Sequence, residues 1–305
     1  MNHQFFAVAA RGIERVTASE LEQLGAQNIR PVTGGVHFEG DMVLLYRASL
    51  WLRSASRILK TLREFAAQTS EMLYSQARRV RWEDYLDASK TFAVQTTMEA
   101  APKSAHDHRG RDSAPRQGRP PRGRPFERRP APRKGIDNSM YAGLKVKDAI
   151  ADRLRREQGQ RPNVDKEYPD ILVHAHLAEG RCILSLDATG TSLHERGYRG
   201  YGAPAPLKET LAAAIIDLTG WDGQSPLYDP MCGSGTLVIE AALKAMKIAP
   251  GLFRRKFGFQ RWPQYDGALW QEVVDEAKKQ QLPPPSAGIF AGDLDPTQLA
   301  TAAEN

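Results

Sequence analysis

Cysteine is nearly absent from this 305-residue sequence: Cys182 and Cys232 stand alone, fifty residues apart, with no metal-ligand spacing around them. That argues against a disulfide framework and against a zinc site, and it fits a reducing cytoplasm. No apolar run approaches the roughly 18 residues of a membrane-spanning helix. The opening "MNHQFFAVAARGIERV" lacks a basic region followed by a long apolar core, so it reads as no secretory signal. What remains, with 41% hydrophobic and 26% charged residues, has the composition of a globular protein of two or three domains.

The formal charge of +6 is unevenly placed. Residues 101–134 carry 11 Lys/Arg against 3 Asp/Glu, leaving 31 basic against 33 acidic residues elsewhere. The same stretch has seven prolines and one large apolar residue, Phe126, so it buries too little surface to offset its ordering entropy and is expected to be disordered. Two roles fit such a block, a solvated spacer and a flexible RNA-binding arm built on Arg122, Arg124, Arg128 and Arg129. His106 and His108 within it are too few for a metal site.

On either side of this block the sequence is patterned. "HQFFAVA" (3–9) reads as a strand. Residues 12–24 read as a helix with Ile13, Val16, Leu21 and Leu24 on one face, closed by a left-handed cap at Gly25. A strand at 34–41 and a helix running into a strand over 42–62 complete a small ferredoxin-like α+β unit. Arg47, Arg53 and Arg57 read as a solvated helix face, with nucleic-acid contact as the alternative. A second unit is split by the basic block. It has a helix at 69–79 and a strand at 91–97 before the block, then a helix at 143–159 and strands at 170–180 and 181–189, turning at Glu179-Gly180. His174 and His176 share a strand face and read as surface positions rather than metal ligands. Lys145 and Lys147, near a helix start, are candidates for phosphate contact, with simple solvation as the alternative.

A third pattern begins near residue 207. Residues 206–221 form an apolar helix with Pro206 at its start, and "LYDPMCGSGTLVIEAALKAM" (227–246) follows as strand, acid, glycine turn and helix. Those are the parts of a nucleotide site in a doubly wound sheet, where glycines admit backbone to a ligand and a helix N-terminus offers free N–H groups. A phosphate loop needs Gly-Lys-Ser/Thr, and no lysine follows Gly235. A dinucleotide fingerprint needs a third small residue where Val238 stands. Asp229, just before the turn, repels pyrophosphate and suits a cationic ligand such as S-adenosylmethionine, which carries a sulfonium and an ammonium. A second acid pair, Asp293 and Asp295, follows the strand within 287–305. Asp293 reads as the ribose acceptor and Asp295, with Pro296 after it, as a helix cap. The 64 residues between Asp229 and Asp293 require an insertion at 247–286.

The stretches "ARGIERV", "GGVHFEGD", "KVKDAIADRLR", "HERGYRGYGAPAPLKETLAAAI", "DPMCGSGTLVIEAA", "APGLFRRKFGFQRW" and "GDLDP" resemble the amino-terminal part of bacterial bifunctional 23S rRNA guanine methyltransferases. The resemblance covers nearly everything but 101–134. It implies a ferredoxin-like domain (1–68), a THUMP RNA-binding domain (69–190) and the start of a Rossmann-like class I methyltransferase domain (191–305). It further implies S-adenosyl-L-methionine as donor and an N2-guanine of 23S rRNA as acceptor, in the cytoplasm, with no membrane and no metal. The donor-binding residues it implies are Asp229, Pro230, Cys232, Gly233, Gly235, Thr236 and Asp293, with Lys208 of "APLKE" beside them; "HERGYR" (194–199) joins the THUMP domain to the methyltransferase. The family's Asn/Asp-Pro-Pro-Tyr/Phe motif and its N7-guanine module do not occur in these 305 residues. The expectation is therefore a fragment without catalytic residues, with an inactive RNA-binding module as the alternative. In such a fragment 1–189 would fold as a stable unit, and 190–305 alone would fold poorly. No covalent intermediate is needed, so Cys232 is read as turn packing rather than a nucleophile.

Overall fold

The computed structural model describes residues 2–99, 136–199 and 207–305. The basic block at 101–134, with Arg122, Arg124, Arg128 and Arg129, and the helix-start reading of Pro206 lie outside the described residues.

The first half builds one eight-stranded sheet. Its elements are β1 (His3–Ala9), α1 (Glu14–Gln23), β2 (Gln27–Val32), β3 (Gly35–Gly40), α2 (Met42–Trp51), β4 (Ala55–Ala66), α3 (Ser70–Arg78), β5 (Thr91–Met98), α4 (Ser139–Gln158), β6 (Asn163–Val164), β7 (Ile171–Ala178) and β8 (Arg181–Asp187). The strand order is β2-β3-β1-β4-β8-β7-β5-β6. Antiparallel pairing of β4 with β8, from Leu59 opposite Asp187 to Ala66 opposite Arg181, fuses the ferredoxin-like strands and the later ones into a single sheet. β5 pairs in parallel with β7 and β6, so the chain between them must cross over, and α4 makes that crossover.

Local chemistry explains most element ends. Asp41, Thr69 and Asn138 each accept a backbone N–H as the N-caps of α2, α3 and α4. Gly25 and Gly159 follow α1 and α4 with φ of 82° and 75°, the left-handed caps that only glycine adopts freely. The β7–β8 hairpin turns at Glu179 and Gly180 with φ of 49° and 74°, both positive as a two-residue turn demands. Two boundaries differ from the expectation. The helix expected from 143 begins at Ser139, because Asn138 caps it. β2 has no counterpart in the pattern, since it is a largely exposed edge strand containing Pro31 and shows no alternation.

The second half contains α5 (Glu209–Leu218), β9 (Leu227–Asp229), α6 (Thr236–Ala245), α7 (Gly267–Lys279), β10 (Ile289–Ala291) and α8 (Pro296–Glu304). β9 and β10 pair in parallel, Asp229 level with Ala291. Among the described residues no helix is long and apolar enough to cross a membrane, and no group of three or more His, Cys, Asp or Glu is placed to hold a metal.

The segment 247–286 packs into the core of the segment 1–189, the one expected to fold as a stable unit. Phe257, Phe259, Trp262, Val273 and Ala277 belong to the same buried cluster as Leu45, Tyr46 and Leu50 of α2. Tyr46 lies 4.8 Å from the Phe259 ring and 5.7 Å from Trp270, and its hydroxyl accepts the Asp266 N–H. Gly258 sits where a Cβ would come within 2.7 Å of the Asp187 carbonyl, so the backbone approach itself requires glycine. Residues far along the chain thus complete the core of its amino-terminal half.

Of the three arginines read as a solvated face, Arg53 and Arg57 are ties instead, while Arg47 stays half-exposed. Arg47 pairs with Glu276 of α7 at 2.9 Å. Arg57 donates to Asp187 and to the Gly190 carbonyl. Arg53 is buried and donates to the Leu243 and Ile248 carbonyls at 3.1 and 2.7 Å, where a cation meets the negative end of α6. His174 is likewise buried rather than a surface position, its Nε2 lying 3.4 Å from the buried Asp187. His176 bonds Thr97.

Beside Arg53, the Glu20 carboxyl accepts the Arg53 and Ser54 N–H groups and the Ser54 hydroxyl. Burial pushes its pKa up to about 7. The folded state therefore keeps this proton to higher pH than the unfolded chain, and stability falls as pH rises from about 4.5 to 7. Glu20→Gln keeps an acceptor without the charge. Urea denaturation should show wild type losing on the order of 2–3 kcal/mol relative to Glu20→Gln between pH 5 and 8; parallel profiles would refute this.

Candidate functional site

The glycine turn sits at the carboxyl ends of β9 and β10, where ligands of parallel sheets bind. Backbone pairing continues past both strands: the Gly292 N–H donates to the Asp229 carbonyl at 2.8 Å, and the Cys232 N–H to the Gly292 carbonyl at 2.9 Å. The Asp229 carboxylate accepts the Met231 N–H. Gly233 and Gly235 have φ of 52° and 82°, and Gly235 is the N-cap of α6. A Cβ on Gly235 would meet Ala302 at 3.0 Å, whereas one on Gly233 would meet nothing within 4 Å. The turn is packed behind Gly235 and open at Gly233.

Asp293 ties the two loops together. One carboxylate oxygen accepts the Gly233 N–H at 2.8 Å and the other the Asp295 N–H at 3.0 Å. These bonds, that from Asp295 foremost, hold its pKa below the usual carboxylate range, so it is ionised at neutral pH. Asp295 caps α8 through the Thr297 N–H. Burial, then the charges of Asp229 and Asp293, push the Cys232 thiol up, which keeps it protonated at neutral pH.

The structure thus gathers Asp229, Cys232, Gly233, Gly235, Thr236 and Asp293 at one sheet edge, with Pro230 exposed on the turn. Lys208 is the exposed N-cap residue of α5, and its side chain makes no capping bond. The tie between α5 and the turn runs through Arg199, which donates to the Leu207 carbonyl and to Thr236 Oγ1 at 2.6 Å, and lies 3.5 Å from Glu209. Arg199 and its neighbour Arg196 escaped the sequence reading, which took "HERGYR" only as a joint. Arg196 is buried, pairs with Glu240 of α6 at 3.3 Å and donates to the Leu193 and Arg53 carbonyls. The available signal was Glu240 itself, one acid inside "TLVIEAAL", for which burial demands a partner.

Lys145 and Lys147 are not brought together. Lys145 lies over the Tyr141 ring at 5.4 Å, while Lys147 pairs with Asp148 at 3.0 Å and lines a groove of about 740 Å³ with Met140, Leu144 and Tyr168.

Comparison with known proteins matches three family models in succession: an RlmL ferredoxin-like domain at residues 4–59, a THUMP domain at 133–187, and an RMKL-like methyltransferase domain at 196–305. The chain is 40% identical over 305 residues to the ribosomal RNA large subunit methyltransferase K/L of Aeromonas salmonicida, covering 99% of this chain and 38% of that protein. The chain thus spans well under half the length of that relative. It is 37% identical to "Putative RNA methyltransferase slr0064" of Synechocystis, covering 99% of this chain and 70% of the relative. Among solved structures, "SMU.472, a putative methyltransferase complexed with SAH" superposes with a TM-score of 0.81 at 31% identity, covering 99% of this chain and 71% of that one.

Proposed function

This chain belongs to the RMKL-like, THUMP-containing methyltransferase family, and on that premise we propose that it binds S-adenosylmethionine at the β9–α6 turn and serves methylation of large-subunit rRNA, at the N2 amine of a guanine. The observation that carries the donor assignment is the Asp229–Gly233–Gly235–Asp293 arrangement. It offers two carboxylates, an open glycine face and the N-terminus of α6 at one sheet edge. The donor supplies a methyl group on a sulfonium; the relatives' names, a large-subunit rRNA methyltransferase and a structure holding SAH, support the reading.

The residues have separable tasks. Asp229 offers negative charge to the cationic methionine end of the donor. Gly233 presents backbone at the open face, held in place by Asp293, whose remaining acceptor capacity suits a ribose diol. Arg199 fixes Thr236 and with it the first turn of α6. In this reading the THUMP segment of the eight-stranded sheet, whose core includes residues of 247–286, is the part that contacts RNA.

Gly235→Ala forces alanine into the left-handed region, about 1–2 kcal/mol, against the Ala302 contact at 3.0 Å. The expected outcome is an S-adenosylmethionine Kd raised about tenfold by calorimetry, with Asp293→Asn also weakened and the fold retained. Donor affinity unchanged in both variants refutes the site. Labelled-methyl transfer to large-subunit rRNA, with the modified base identified by mass spectrometry, tests the acceptor. N2-methylguanine supports it, methyl on another base overturns it, and RNA binding without transfer leaves an RNA-binding module.

A further inference from the structure

A cleft between the carboxyl-terminal ends of α3 and α4 is lined by Tyr74, Ser75, Arg78, Arg79, Arg153 and Arg156, with a volume of about 280 Å³. Every side chain lining it carries a hydrogen-bond donor and none is a carboxylate. We propose that this arginine cleft is a docking site for backbone phosphates of the RNA substrate, separate from the glycine turn and from the groove that carries Lys147. The proposal rests on the reading of the chain as an RNA-directed methyltransferase.

The arginines do not all do the same thing. Arg153 is committed to the fold: its guanidinium makes a two-pronged bond to Glu83, at 2.6 and 3.2 Å, and lies 3.5 Å from Glu157. That fixes one wall of the cleft. Tyr74, whose hydroxyl donates to Asp152 at 2.8 Å, fixes another. Arg156 is largely exposed, with Glu157 no nearer than 3.8 Å. Among the described residues Arg78 and Arg79 have no acidic partner within ion-pair range. A bland role exists for them, since cations at helix ends interact favourably with the helix dipole. Two helix ends supply only about one negative charge between them, and Arg153, Arg155 and Arg156 crowd the end of α4 already. The dipoles account for part of the cluster, and Arg78 and Arg79 are left facing a concave, carboxylate-free surface.

Planar guanidinium groups with free N–H edges match phosphate oxygens, and contacts of this kind position nucleic acid without reading its sequence. Arg153 lies six residues beyond Lys147 on α4, about 9 Å along the helix axis. One RNA chain can therefore span both regions.

The test uses the full 305-residue chain and a large-subunit rRNA fragment, with affinity measured across a salt series. Arg78→Gln/Arg79→Gln removes two charges whose side chains hold no bond to the described residues. Arg15→Gln/Arg30→Gln, exposed on α1 and on the far edge strand β2, removes the same charge elsewhere. With about 0.7 counterions released per single-strand contact, the cleft variant should lower the log–log salt slope by about 1.4 and weaken binding equally for an unrelated RNA, while the control pair leaves the slope unchanged. Equal slopes for both variants, with wild-type RNA binding intact, overturn the cleft and spare the RNA reading. A wild-type chain that binds no RNA overturns both. A thermal shift with inorganic phosphate, lost in the cleft variant while RNA affinity is unchanged, would make the cleft a small-anion site and equally overturn the proposal.

Discussion

Phe259→Ala should cost about 3–5 kcal/mol of stability, and the loss should fall on the amino-terminal half of the molecule although the residue lies in the methyltransferase half. Phe259 is fully buried, its ring 4.8 Å from Tyr46, 5.1 Å from Trp270 and 5.4 Å from Phe257, and its N–H donates to the Ala188 carbonyl. Truncation leaves a ring-sized hole among aromatic neighbours that cannot collapse without moving α2. Urea denaturation followed by near-ultraviolet circular dichroism measures both the size of the loss and the aromatic environment. A cost under about 1 kcal/mol would mean that the cluster is not part of the core. The same geometry changes what the segment 1–189 should do alone: with 247–286 gone, Tyr46 and its neighbours on α2 are uncovered, and the isolated segment should bind a hydrophobic dye.

Glu240→Ala should be comparably damaging, about 3–5 kcal/mol, because it strands the buried Arg196 guanidinium. Glu240 Oε1 also accepts the Tyr198 hydroxyl at 3.1 Å, and burial raises the Tyr198 pKa so that it stays a donor. One oxygen, Glu240 Oε2, has no hydrogen-bond partner among the described residues, so the pair is an imperfectly satisfied buried ion pair whose net worth over an apolar replacement is small. Arg196→Met combined with Glu240→Leu should therefore cost much less than the two single losses together. A strictly additive double variant would show that the two residues act independently. Because Glu240 stands one turn beyond Thr236 on α6, Glu240→Ala should also weaken donor binding, a readout that separates the joint between the two halves from general destabilisation.

Legibility followed the range of each signal. The helices of the first half, the β7–β8 turn at Glu179-Gly180 and the cap at Asp295 were readable because they depend on spacing and turn chemistry within a few residues. The glycine turn was readable for the same reason: Asp229, Gly233 and Gly235 are neighbours in sequence, and only the arrival of Asp293 on Gly233 needed a second strand. β2 was missed because an edge strand has no apolar face to give it a period.

Arg53 and His174 show the opposite case. A side chain's own neighbours do not say whether it meets water or a helix end, and Arg53 meets α6 across 190 residues of sequence. The sequence by itself determined the local elements, the family resemblance and the residues of the turn. Only the tertiary structure decided that β4 and β8 fuse two units into one sheet, that 247–286 completes the amino-terminal core, and that Arg53 and Arg196 bind the halves together. The physical reason is that burial belongs to pairs of surfaces, and the second surface comes from distant chain.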